Sequence, residues 1–160
     1  MAPSGFFKTK RYGRRRARVN GQGFYQVLGV DYQELFSPVV HEVTIRIMIL
    51  FWLIHCLSAM LGDVETAFLY GELEEEIYMR APKGLVLQDD ECLLLLKAIY
   101  GLVQASRQWR KKLISVMKKI GFKVSAVDPC LMYRQYDFVI VLVAFHIDDL
   151  FCVGDKRALE

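Results

Sequence analysis

Asp148 and Asp149 stand side by side between two apolar runs, Phe138-Val-Ile-Val-Leu-Val-Ala-Phe145 and Leu150-Phe-Cys-Val153, the second closed by Gly154. Both runs are rich in β-branched and aromatic residues and have the length of buried strands. Two such strands joined by a few polar residues form a hairpin, whose tip then carries two carboxylates on a rigid base. Adjacent anions repel, so holding them together is costly unless a cation sits between them. Taken alone, the pair reads more readily as solvated turn residues, since Asp favours turns and a dipeptide is a short motif. Asp63, in Leu61-Gly-Asp-Val-Glu-Thr-Ala-Phe68, adds a third carboxylate where an apolar stretch ends. Three carboxylates from separate strand ends are able to bind two hard divalent cations, with substrate phosphates completing the shells. Two ions about 3.5–4 Å apart activate an attacking oxygen and stabilise a leaving one, which is the chemistry of phosphoryl transfer. Whether Asp63 meets the pair is decided by the fold, not by spacing along the chain.

A mixed set of elements has to position these residues. Residues 44–57 carry a helical pattern that merges into a strand ending near Asp63. Residues 76–79 and 92–97 read as short strands, and 130–135 and 138–145 as two longer ones turning at Tyr136-Asp137. Ser106 suits the cap of a helix from Arg107 to Ile120, with Trp109, Leu113, Val116 and Ile120 on one face and Gly121 as its stop. The acidic run Glu72-Leu-Glu-Glu-Glu76 reads as a solvated loop without a metal role, and no internal repeat is evident.

A chain of 160 residues, 54% of them apolar, is long enough for one domain with a true core. The apolar run Ile47 to Leu61 is 15 residues long, short of the roughly 20 that span a bilayer. It contains His55 and follows Arg46, so it reads as a core helix. The basic N-terminus is not followed by the compact apolar region of a signal peptide. No membrane partner is expected, and the location is expected to be intracellular, in a cytoplasmic particle or the nucleus. Cys56, Cys92, Cys130 and Cys152 lie far apart with no Cys-x-x-Cys, which argues against zinc and disulfides and for small buried residues. His41, His55 and His146 show no metal-ligand spacing.

Charge is uneven. Lys8, Lys10, Arg11, Arg14, Arg15, Arg16 and Arg18 all precede the first acidic residue, Asp31. Arg107, Arg110, Lys111, Lys112, Lys118 and Lys119 form a second group on the expected helix. Such groups suit phosphate backbones, whose neutralisation releases counterions. They read equally well as a solvated basic face with a flexible tail. Arg14-Arg-Arg16 also fits a nuclear-localisation patch.

The chain resembles the reverse transcriptase domain of Ty1/copia-type retrotransposon polyproteins over nearly its whole length. The matching blocks run in the family's order. Arg16-Ala-Arg-Val19 and Gly23-Phe-Tyr-Gln26 come first, then Tyr32 with Phe36-Ser-Pro-Val-Val40 and Thr44-Ile-Arg46. Next come Asp63-Val-Glu-Thr-Ala-Phe-Leu69 and Gly71-Glu-Leu-Glu-Glu-Glu-Ile-Tyr-Met79, with Pro82 and Gly84. Tyr100-Gly-Leu-Val-Gln-Ala-Ser-Arg-Gln-Trp109, Gly121-Phe122, Asp128-Pro-Cys130 and His146-Ile-Asp-Asp149 complete the series.

The resemblance implies an α+β fold: the fingers and partial palm of a right-hand polymerase, with a mixed or antiparallel sheet and helices packed on one face. Residues 1–22 would be a basic segment at the start of the fingers. Residues 23–160 would be a fingers and palm fragment ending just after the catalytic hairpin, with thumb, ribonuclease H and integrase regions absent. The implied activity is RNA-directed DNA polymerisation on an RNA or DNA template-primer with deoxynucleoside triphosphates, aided by two Mg²⁺ ions, or Mn²⁺. Asp63, Asp148 and Asp149 match the catalytic, metal-binding aspartates. Arg18 matches a fingers residue whose guanidinium grips the triphosphate, while Gly101, Gln104 and Arg107 match the nucleotide and template pocket. Phe68 matches an aromatic ring under the sugar that selects deoxynucleotides, although its spacing alone suits ordinary core packing. Arg110, Lys111 and Lys112 would contact nucleic acid. Departures also count: His146 stands where the family has Tyr, Ser106 where it has Pro, and Glu65 where it has Lys. With the apolar run at 47–61, they leave open a second reading: a non-catalytic relic that at most binds nucleic acid through its basic faces.

Overall fold

Strand-forming runs dominate the C-terminal third, and the register they adopt positions the hairpin. The computed structural model describes residues 1–9, 11, 13 and 15–159, with backbone alone for Phe6, Phe7, Lys8 and Arg16. Of the N-terminal basic group, Lys10 and Arg14 therefore lie outside the described residues, as do the side chains of Lys8 and Arg16. The fold is mixed α+β, in two compact units that interleave along the chain: residues 1–36 with 68–110, and 37–67 with 111–160.

In the first unit, β1 (Pro3–Thr9) and β2 (Arg15–Gly21) form an antiparallel hairpin, which replaces the flexible tail of one of the two sequence readings. Its base is tied down by backbone bonds, Gly21 N to Tyr100 O at 2.7 Å and Gly23 N to Gly101 O at 2.8 Å. β4 (Tyr78–Met79) and β5 (Leu93–Leu94) fall within the two expected short strands, and they pair antiparallel. The acidic run between 72 and 76 is not merely solvated: Glu72 pairs with Lys97, and Glu74 with Arg107.

In the second unit, α1 (Glu42–Ile54) runs into β3 (Ser58–Asp63), the predicted helix and strand. A five-stranded antiparallel sheet has the order β3-β9-β8-β7-β6, where β6 is Lys123–Val124, β7 Leu131–Tyr136, β8 Val139–His146 and β9 Asp149–Gly154. One sheet face presents Ala59, Leu142, Ala144, Phe151 and Val153 to Ile45, Met48, Phe51 and Trp52 of α1. The alternate residues Met132, Val141, Val143, Phe145 and Cys152 are buried on the other face, as the period of two requires. A last short helix, α3 (Lys156–Leu159), follows.

The helix α2 (Ala105–Lys119) starts before Ser106, so Ser106 is a helical residue and not its cap. The predicted stop holds. Gly121, at φ +91°, ends the helix with Gly121 N bonded to Lys118 O and Phe122 N to Met117 O, both at 3.0 Å, a Schellman motif. Trp109 and Leu113 are buried, whereas Val116 and Ile120 on the same predicted face stay exposed. The cysteines also divide: Cys130 and Cys152 are buried as expected, but Cys56 and Cys92 are exposed. Burial pushes the Cys152 thiol above its ordinary pKa.

Candidate functional site

The hairpin tip is built by register. β8 and β9 pair His146 with Asp149 and leave Ile147 and Asp148 as a two-residue turn. On the other side of β9, β3 pairs Asp63 with Asp149, and Val64 N donates to Asp148 O at 3.0 Å. Directly opposed residues of antiparallel strands project from the same face, with Cβ atoms about 4.5–5.5 Å apart. Asp63 and Asp149 are thus neighbours across a strand boundary, although 86 residues separate them in sequence. Asp148 sits half-buried in the adjoining turn. The sheet brings all three aspartates to one end.

Like charges directly opposed destabilise a sheet. Among the described residues, neither Asp63 nor Asp149 has an ion-pair partner to offset its neighbour. A pair of hard oxygen donors in that condition suits a divalent cation. Among the described residues, however, no three His, Cys, Asp or Glu side chains form a group able to hold an ion. A cavity of about 370 Å³ opens beside the pair, lined by Asp149, His146 and the apolar Val40, Ile45, Leu61 and Phe151 among others. Its apolar wall continues the sheet face that α1 covers.

The residues matched to nucleotide binding lie in the first unit. Arg18 is half-buried, its Cζ 4.8 Å from the centre of the Tyr100 ring, a cation–π contact. Phe68 packs on the same ring, centroid to centroid 4.4 Å with planes tilted by 56°, and is 7% exposed. Core packing, the plainer of its two sequence readings, is therefore realised. Gln104 is fully buried and its amide is occupied: Gln26 Nε2 donates to its oxygen at 3.1 Å, and its nitrogen donates to Asp31 O at 3.0 Å. Gly101 adopts φ +89°, and a Cβ there would meet Gly21 O at 2.0 Å, so only glycine allows the hairpin base to close. Arg107 is held between Glu34 and Glu74. Of the basic helix residues, Arg110 is half-buried while Lys111 and Lys112 are exposed.

Two residues of the matched blocks, Tyr100 and His146, were not among the expected site residues. Tyr100, which joins Arg18 to Phe68, carries no spacing signal of its own. His146 beside Asp149 was readable: a two-residue turn at Ile147-Asp148 forces 146 and 149 to pair. Among the described residues, no helix is long and apolar enough to cross a membrane.

Known proteins match the chain over nearly its whole length. The family model described as reverse transcriptase (RNA-dependent DNA polymerase) matches residues 6–159. The Retrovirus-related Pol polyprotein from transposon TNT 1-94 of Nicotiana tabacum is 38% identical, over 96% of this chain and 12% of its own length. Those from transposons RE2 and RE1 of Arabidopsis thaliana are 36% and 35% identical, over 91% and 94% of this chain and 10% and 11% of their lengths. The chain thus spans only a small part of the curated relatives it matches, and no solved structure matches it. A sheet that seats Asp63 beside the Asp148-Asp149 turn, matched end to end by these sequences, means that the chain belongs to the reverse transcriptase (RNA-dependent DNA polymerase) family, in its copia-type branch.

Proposed function

We propose that the chain carries the catalytic aspartates of RNA-directed DNA polymerisation, joining a deoxynucleotide to a primer 3′-hydroxyl with release of pyrophosphate. The observation that carries this reading is the pairing of Asp63 with Asp149 next to the Asp148 turn. Asp63, Asp148 and Asp149 would hold the divalent ions, Mg²⁺ or Mn²⁺, and orient them from the end of the sheet. When bound, such ions lower the barrier to attack by the hydroxyl and neutralise charge on the leaving oxygen. The rest of the chain positions and excludes. Arg18, held over the Tyr100 ring, would offer its guanidinium donors to a phosphate. Phe68 fixes the Tyr100 ring from its other contact and bounds the space available to a sugar. Gly101, Gln104 and Arg107 act on the nucleotide side by shaping the backbone beneath it, since their own bonds are internal. Lys111 and Lys112, with Arg110, face a template-primer backbone. The fold would then be the fingers and part of the palm of a right-hand polymerase.

The test is primer extension on an RNA template with Asp63→Asn, Asp148→Asn and Asp149→Asn. Each of the first two should lower metal-dependent incorporation by roughly a hundredfold or more. Equal extension by all variants would refute the catalytic assignment. Salt-sensitive template binding with no extension in the parent chain would favour the relic reading, to which the His146, Ser106 and Glu65 departures already point.

A further inference from the structure

Two exposed aromatic rings sit on a turn that the chain holds in place. Phe24 and Tyr25 belong to a single 3₁₀ turn, Gly23–Tyr25, directly after β2, and are 78% and 65% exposed. Their rings lie centroid to centroid 4.5 Å apart, with planes tilted by 43°. The residues on either side are clamped to the 101–104 segment. Gly23 N donates to Gly101 O at 2.8 Å, and a Cβ on Gly23 would meet that oxygen at 2.2 Å. Gln26 Oε1 accepts from Val103 N at 2.9 Å, while its Nε2 donates to Gln104 Oε1 at 3.1 Å. The backbone is thus seated on both sides of the pair, and both rings are left in solvent. Exposed apolar rings are costly in water, and a turn pinned at both ends does not fold them away.

Charge selects the occupant. The first 30 residues carry seven Lys and Arg and no Asp or Glu. Arg11 and Arg15 are exposed, and among the described residues neither has an ion-pair partner. β2 leads straight into the turn, so Arg18 and Arg15 stand about 10 and 20 Å back along the strand from its end at Gly21. The first acidic residues to follow are already engaged: Asp31 Oδ2 accepts from Val27 N at 2.7 Å, and Glu34 pairs with Arg107. An apolar protein partner would need neither flat ring faces nor a positive strand leading up to them. We propose that Phe24 and Tyr25 form a stacking platform for the bases of an unpaired nucleic-acid strand whose phosphates run along β2. Every base has a flat face that stacks on an aromatic ring, so the platform is indifferent to sequence. This rests on the polymerase reading above only for the identity of the strand, which is then the unpaired part of the template.

The experiment follows the fluorescence anisotropy of a labelled oligothymidylate, an abasic strand of equal length and a blunt duplex, each titrated with the full chain in EDTA. The parent should bind the oligothymidylate about tenfold or more tighter than the abasic strand. Phe24→Ala and Tyr25→Ala should each weaken oligothymidylate binding by about tenfold and leave the abasic strand and the duplex unaffected. Both side chains are exposed, so the circular dichroism of these variants should match the parent's. Tyr25→Phe keeps the ring and should bind like the parent. Phe24→Trp places a reporter at the site, and its added emission should be quenched by the oligothymidylate but not by the abasic strand. Equal affinity of the parent for base-bearing and abasic strands would overturn the platform, as would Ala variants that bind the oligothymidylate like the parent. Ala variants that bind normally yet sediment at lower mass would assign the rings to a protein contact instead. Because EDTA removes divalent ions, stacking is read apart from catalysis. A parent that shows the platform but no metal-dependent extension would sink the catalytic reading and leave the platform standing. One that extends primers yet binds abasic and base-bearing strands alike would do the reverse.

Discussion

A carboxylate with 1% exposure needs donors for its oxygens, and Asp128 has three. Thr44 Oγ1 donates at 2.5 Å, His41 N at 3.0 Å and Cys130 N at 2.8 Å, while His41 Nδ1 lies 3.8 Å away. One of those donors, the Thr44 hydroxyl, lies in the first turn of α1 and another, His41 N, on its N-cap residue, so Asp128 ties down the start of the helix from 84 residues further along the chain. Burial pushes its pKa up, but the bonds from Thr44, Cys130 and His41, with the nearby imidazole, outweigh it and hold the carboxyl below the ordinary value. Asp128→Ala should cost about 2–4 kcal/mol in denaturant unfolding, because it strands buried donors as well as releasing the start of the helix. The sign of the pH effect follows from the direction of the shift. A carboxyl depressed on folding contributes stability that is present above its unfolded pKa and lost as pH falls through the folded one. The parent should therefore lose stability below about pH 4, and Asp128→Asn should lose less over the same range. Equal acid midpoints would show that the charge of Asp128 is not what holds α1.

The hairpin between β8 and β9 holds its turn under strain. Ile147, its first turn residue, has φ 57°, a region that β-branched side chains rarely enter. Two-residue turns with positive φ at the first position favour glycine there. The strain sits directly beside Asp148, where backbone held out of its preferred conformation is often kept for function. Ile147→Gly should leave the fold intact and stabilise it by about 1 kcal/mol, read as a shift in the denaturation midpoint at unchanged slope. A large loss of stability would mean that side-chain packing of Ile147 outweighs its backbone cost. The same reasoning explains Gly121, whose φ of +91° lets α2 stop where sequence alone predicted.

Over the whole molecule, exposed charge and exposed apolar surface should govern association. Val43, Ile47, Leu50 and Ile54 recur at helical spacing on the side of α1 turned away from its sheet, each more than half exposed. Contiguous apolar surface of this kind promotes association. Ile47→Glu with Leu50→Glu should lower the mean mass in sedimentation at raised concentration, with circular dichroism unchanged. An unaltered mass distribution would exonerate this face. For the basic side, affinity for a primer-template should fall steeply with salt. Neutralising Lys111 and Lys112 together should make the slope of log affinity against log salt shallower by about 1–2, with similar losses on unrelated sequences. A slope unaffected by salt or by these changes would remove the phosphate-contact role.

Several features were legible in the sequence because each rests on a local pattern. The β8 and β9 runs alternate or stay apolar at strand length, α1 shows a helical period, and Gly121 is a stop that needs no distant partner. Family order identified Asp63, Asp148 and Asp149 as one set. Other features were decided only by tertiary structure, because they depend on pairings between distant segments. Nothing in a basic, charge-rich N-terminus announces that it pairs into β1 and β2, whose hairpin base is anchored by Tyr100 and Gly101. Arg107 looks like a free cation until Glu34 and Glu74 close on it, and Gln104 looks like a polar site residue until burial consumes its amide. His146 shows no ligand spacing along the chain, yet sheet register sets it beside Asp149 and one strand away from Asp63. Periodicity tells a residue which face it occupies. Only the ladder of backbone hydrogen bonds tells it which neighbour shares that face.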